Sequence, residues 1–103
     1  MILTVLGISL AAPAQAGTTT ADFLKWEREA QESFLQISIS MAGVIASQIN
    51  QETAICMDEW YFGDKDLQQQ RHAEILKIMP DYTTYDPHAV LMAYLESVCG
   101  KLN

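Results

Sequence analysis

Cys56 and Cys99 are the residues whose chemistry can be named first, because two thiols in a short chain bound for an oxidising compartment read as one disulfide. Closing a loop of that length stabilises a fold by about 4 kcal/mol in the chain-entropy estimate, a large share of what a domain this small can hold. The two histidines, His72 and His88, have no partner at metal-ligand spacing. His72 and Glu74 are two apart and point to different helix faces, and both cysteines are better used in the bridge, so no metal site and no cofactor are expected. Asp58 and Glu59 are adjacent, and Asp64 and Asp66 flank Lys65. Such carboxylates do acid–base work only when one lies in an apolar pocket, and alternating charge in a loop reads as solvated, so no catalytic residue and no enzyme activity are expected. The chain carries no EF-hand spacing, no phosphate-cradling glycine loop and no serine elbow.

The remaining chemistry is aromatic. Trp60, Tyr61 and Phe62 are consecutive, and at about 100° per residue they cover more of a helix circumference than one buried stripe can hide. Trp60 is expected in the core. Tyr61 or Phe62 is expected at the surface beside a loop carrying Tyr82 and Tyr85, so that Tyr61, Phe62, Tyr82 and Tyr85 make a protein interface; the competing use of Tyr61 or Phe62 is to cover the bridge.

These groups must be positioned by helices. Thr19 stands three before Asp22, a capping-box spacing that starts a helix into Phe23, Leu24 and Trp26. From Arg28 to about Asn50, Phe34, Ile37, Met41, Val44, Ile45 and Gln48 recur at helical spacing, which predicts the longest helix and places Ile37, Met41 and Ile45 in the core. Ala42, Gly43, Ala46 and Ser47 form a small-residue patch where another helix can approach closely, and a homodimer is one use of it. Glu52 to Phe62 reads as a shorter helix ended by Gly63, and a third pattern runs from Asp66 to Met79, where Pro80 stops it. Asp86 caps a last helix with Pro87 in its first turn and Gly100 at its end; its apolar stripe is Val90, Leu91, Tyr94, Leu95 and Val98, of which Val90, Leu91, Tyr94 and Leu95 are expected to share one buried cluster with Ile37, Met41 and Ile45. The fold expected is all-α: a small orthogonal bundle of four to five helices with one disulfide, Cys56 in one helix and Cys99 in the last turn of another.

Ahead of this domain, Ile2 to Ala12 is an almost unbroken apolar run followed by Pro13, Ala14, Gln15 and Ala16, a signal-peptide pattern with small residues at the cleavage site. Residues 1–16 are read as a leader cleaved after Ala16 and residues 17–103 as one helical domain, periplasmic or secreted. About eleven apolar residues are too few for a membrane span, so no membrane insertion is expected once the leader is removed. The leader is uncharged, and the domain keeps the whole net charge of -7, from 13 acidic and 6 basic side chains. That balance repels phosphate backbones, excludes a nucleic-acid role and leaves a protein partner, basic where it docks.

The plan of a leader, an acidic helical domain and a single bridge ending in the last helix resembles the HdeA/HdeB acid-stress chaperones of the bacterial periplasm. Thr20, Ala21, Asp22, Phe23 and Leu24 are similar to that family's opening motif, in which a Cys stands in place of Ala21, and Val90 to Cys99 is similar to its terminal helix and second Cys. The chain equally resembles the Tai-type periplasmic immunity proteins, small helical disulfide proteins that block cell-wall-cleaving effectors. The second resemblance implies a protein-binding or inhibitory module with an acidic surface. The first implies a holdase: below the carboxylate pKa values the formal charge moves from -7 to about +8, which strains a small fold and exposes its Met and aromatic faces.

Overall fold

The computed structural model describes residues 18–102, so the expected leader and its cleavage site lie outside the described residues. The described part is all-α. It comprises α1 (Thr20–Phe23), α2 (Arg28–Ile49), α3 (Gln51–Met57) continuing into a π-helical turn (Asp58–Phe62), α4 (Lys65–Ile78) running into a 3-10 turn (Met79–Tyr82), and α5 (Pro87–Cys99). This is the small helical bundle expected, with no strand among the described residues and none of its helices long and apolar enough to cross a membrane.

Side-chain caps set most boundaries. Thr19 and Asp22 close a reciprocal capping box on α1, and Asn50, Asp64 and Asp86 accept from the first-turn amides of α3, α4 and α5. Gly100 ends α5 at φ 92, in the half of the map that side chains with a Cβ avoid. The bridge forms as expected: Cys56 on α3 and Cys99 at the end of α5 are joined with Cα atoms 5.5 Å apart. Beside it, the Thr53 hydroxyl donates to the Lys101 carbonyl at 2.7 Å and the Asn50 amide donates to the same oxygen at 2.8 Å, which fastens the C-terminal tail to the start of α3.

The core is built from Phe23, Leu35, Ile39, Ala42, Ala46, Met57, Tyr61, Ile75, Met79, Val90, Leu91 and Leu95. Val90, Leu91 and Leu95 lie where the α5 stripe put them, with Tyr94 half-buried at the edge, while Val98 at the far end of the stripe is exposed. The α2 residues do not. Ile37, Met41 and Ile45 are 66%, 59% and 44% exposed, together with Val44 at 59% and Ile49 at 55%, and the buried face is Leu35, Ile39, Ala42 and Ala46 instead. Alpha2 is apolar on two faces set about 120° apart, and the bundle covers only one of them.

The small-residue patch is used within the chain. Ala42 and Ala46 are buried, and a methyl group on Gly43 would stand 3.0 Å from the Phe62 ring, so the missing side chain lets that ring close over α2.

Candidate functional site

The 3-10 turn and the loop after it are pinned by the first residues of the domain. The backbone N–H of Thr20 donates to the Tyr85 carbonyl at 2.8 Å, its hydroxyl donates to the same oxygen at 2.9 Å, and Ala21 N–H donates to the Thr83 carbonyl at 3.0 Å. Tyr82 and Tyr85 therefore project from a fixed backbone, with ring centroids 6.1 Å apart and planes near perpendicular. They are 46% and 59% exposed. Behind them the outer face of α5 contributes Ala89, Ala93, Tyr94 and Ser97, and α4 contributes Ile78. The result is an open groove of about 510 Å3, its floor made shallow by two alanines and its walls made by three tyrosines. The Tyr94 hydroxyl donates to Glu74 at 3.4 Å, and burial, reinforced by the Glu74 charge, raises its pKa, so it stays a neutral donor. Asp81 and Asp86 lie exposed on the same loop as the two outer tyrosines.

Tyr61 is not part of that surface. Its ring is fully buried, so of the expected pair, Tyr61 or Phe62, it is Phe62 that stays partly exposed, and it lies in a separate groove with Gly43 and Val44 rather than in that of Tyr82 and Tyr85. The reason is register: Tyr61 stands four residues after Met57 and eight after Thr53, both buried, so it continues their face through the π-helical turn Asp58–Phe62 while Trp60 turns toward the surface. Trp60 is left half-exposed, with the Arg71 guanidinium 5.1 Å above its ring and Arg71 Nε donating to its carbonyl at 2.8 Å.

The burial of Tyr61 creates a polar network. Its hydroxyl lies 2.6 Å from His72 Nε2, and His72 Nδ1 lies 3.4 Å from a Glu32 carboxylate oxygen. A carboxylate only accepts, so the consistent assignment has Nδ1–H donating to Glu32 and Nε2 accepting from the Tyr61 hydroxyl. Burial pushes the His72 pKa down and prevails over the raising effect of Glu32, while Arg28 adds to the lowering; His72 is a neutral imidazole. Tyr61 is pushed up to about 12 by burial and then by the Glu32 charge. For Glu32 burial acts upward, but hydrogen bonds from Gln69, Arg28 and His72 and the Arg28 charge outweigh it and lower its pKa. The arrangement has the residue types of a proton relay, yet its imidazole is 3% exposed and its phenol wholly enclosed, so what it does is satisfy buried polar groups and align α2, α4 and the π-turn.

The sequence reading missed this network. Its one signal was the register of His72, three residues before buried Ile75 and seven before buried Met79, which puts an imidazole on the apolar face of α4. Of the other titratable residues singled out, His88 is exposed beside Asp86, with its ring 4.5 Å from Phe34; Asp58 and Glu59 are exposed; and Asp64 caps α4. Among the described residues no three His, Cys, Asp or Glu side chains converge on one point. No protein-family model, no curated protein and no solved structure matches this chain.

Proposed function

We propose that the protein is an exported, non-catalytic binding module of the inhibitory, immunity-like kind, which receives a basic segment of a partner protein in the groove of Tyr82, Tyr85 and Tyr94. The observation that carries this reading is the groove itself: apolar, open, and walled by tyrosines on a backbone fixed by Thr20 and Ala21. Exposed aromatic rings on a preorganised loop are the usual anchors of tight protein interfaces, since little side-chain freedom is lost when they are covered. A Lys or Arg stem entering the groove meets three ring faces, with Asp81 and Asp86 nearby, and the net charge of -7 steers a basic partner toward the domain. Export accords with the leader-like N-terminus and with the Cys56–Cys99 bridge.

The test is affinity capture at neutral pH with wild type and Tyr85→Ala, each paired with a thermal melt. One stoichiometric, salt-sensitive partner that is retained by wild type and lost by Tyr85→Ala at an unchanged melting temperature is the expected result. Equal capture by both proteins sinks the groove as the binding site.

One observation favours a second reading, an acid-stress chaperone. His72 is buried as a neutral base whose protonation would place a charge in the core beside Tyr61 and Ile75, a built-in route to loosening in acid. Native near-ultraviolet dichroism and no hydrophobic-dye binding at pH 2 to 3 would rule it out.

A further inference from the structure

The uncovered apolar face of α2 has no place in the groove-based function, and its composition points to its own occupant. We infer that it is the interface of a homodimer in which the α2 helices of two copies pack antiparallel, crossing at the level of Gly43. Three observations carry this beyond the function proposed above.

The first is charge. Each copy carries -7, so two copies repel wherever their charged surfaces meet, yet from Ser33 to Gln51 α2 and its junction with α3 contain no charged residue at all. A like-charged second copy can approach this strip without bringing carboxylates together.

The second is spacing. The exposed side chains read nearly the same in both directions: Ile37 and Ile49 lie six residues on either side of Gly43, and Met41 and Ile45 lie two on either side. A two-fold axis at that level sets Ile37 against Ile49 of the second copy and Met41 against its Ile45, the self-complementary pairing that an isologous interface requires. The tyrosine groove, being concave, cannot pair with itself in this way.

The third is area. Ile37, Met41, Val44, Ile45 and Ile49 at their observed exposures present roughly 500–600 Å2 of apolar surface, as large as the largest patch a typical monomer shows and most of the ~800 Å2 per partner of a standard interface.

The experiment is sedimentation equilibrium on protein purified from expression of the full chain, with Ile45→Asp and Tyr85→Ala measured alongside. Wild type and Tyr85→Ala are expected at twice the chain mass at micromolar concentration, and Ile45→Asp at the single-chain mass, its dimer weakened at least about a hundredfold by a carboxylate forced into an apolar contact, with an unchanged helical circular dichroism spectrum. Because Tyr85→Ala tests the groove and Ile45→Asp tests α2, failure of one reading is distinguishable from failure of the other. Orientation is read by mixing Ile37→Cys with Ile49→Cys under mild oxidant, where the mixed cross-link is expected to form faster than either self-link. A single-chain mass for wild type overturns the inference and leaves the face to a different protein or to the chain's own N-terminal apolar segment. Two chains that persist in Ile45→Asp, or faster Ile37–Ile37 cross-linking, overturn it as well.

Discussion

Two faces of the same helix carry much the same residues and have opposite fates. On one side of α2, Leu35, Ile39, Ala42 and Ala46 lie under Met57, Tyr61 and the α5 stripe; about a third of a turn away, Ile37, Met41, Val44, Ile45 and Ile49 are open. By hydrophobicity alone the exposed face is the better core candidate, since its side chains are larger. What separates the two is their partners: Leu35, Ile39, Ala42 and Ala46 share one buried cluster with Met57, Tyr61, Leu91 and Leu95, whereas the other face is left open. A periodic apolar stripe therefore does not by itself say which face the fold covers.

The sharpest way to break this comparison is to truncate each face in turn. Ile39→Ala should cost about 2 to 5 kcal/mol, because the side chain is fully buried and its neighbours cannot collapse into the space; urea unfolding at pH 7 measures it. A loss below about 0.5 kcal/mol would mean that the core is not where these residues put it.

A smaller effect is expected at the polar edge of the buried face, where Glu32 meets His72. Tyr61→Phe removes the donor to His72 Nε2 and should cost about 1 to 3 kcal/mol, the penalty of a buried acceptor left unpaired. The pH dependence has a definite sign. The His72 pKa is lower in the folded protein than its ordinary 6.5, so between those two values the unfolded chain binds more protons and stability falls as pH falls. Glu32, lowered from 4.5, adds a second decline below that value, where its favourable contacts are lost on protonation. The urea midpoint should drop from pH 7.5 to pH 5, and His72→Gln should flatten that part of the curve; an unchanged slope in the variant would show that other groups set it.

The smallest effect belongs to the open face. Ile37→Ala, measured on protein dilute enough to be a single chain, should change stability by less than about 0.5 kcal/mol. A cost near that of Ile39→Ala would mean that Ile37 is covered within the chain.

Much of the architecture is written locally. The caps at Thr19, Asn50, Asp64 and Asp86, the stop at Pro80 and the turn at Gly100 are short-range hydrogen-bonding and steric rules, and they reproduce the helix boundaries to within a few residues. Cysteine pairing follows from there being only two, and the α5 stripe follows from a single apolar face that has only one way to turn. These needed no knowledge of what lies across the bundle.

Three things did need it. The buried side of α2 is a choice between two apolar faces, decided by which of them meets the side chains of α3, the π-turn and α5. Tyr61 continues the face of Thr53 and Met57, and that this face rather than the one bearing Trp60 is covered depends on what packs across it. The Tyr61–His72–Glu32 network joins positions on three separate elements, with 40 residues between Glu32 and His72. Periodicity and capping act over one or two turns of chain, whereas which face is covered and which polar groups meet depend on the shape and spacing of distant segments, so only the assembled bundle decides them.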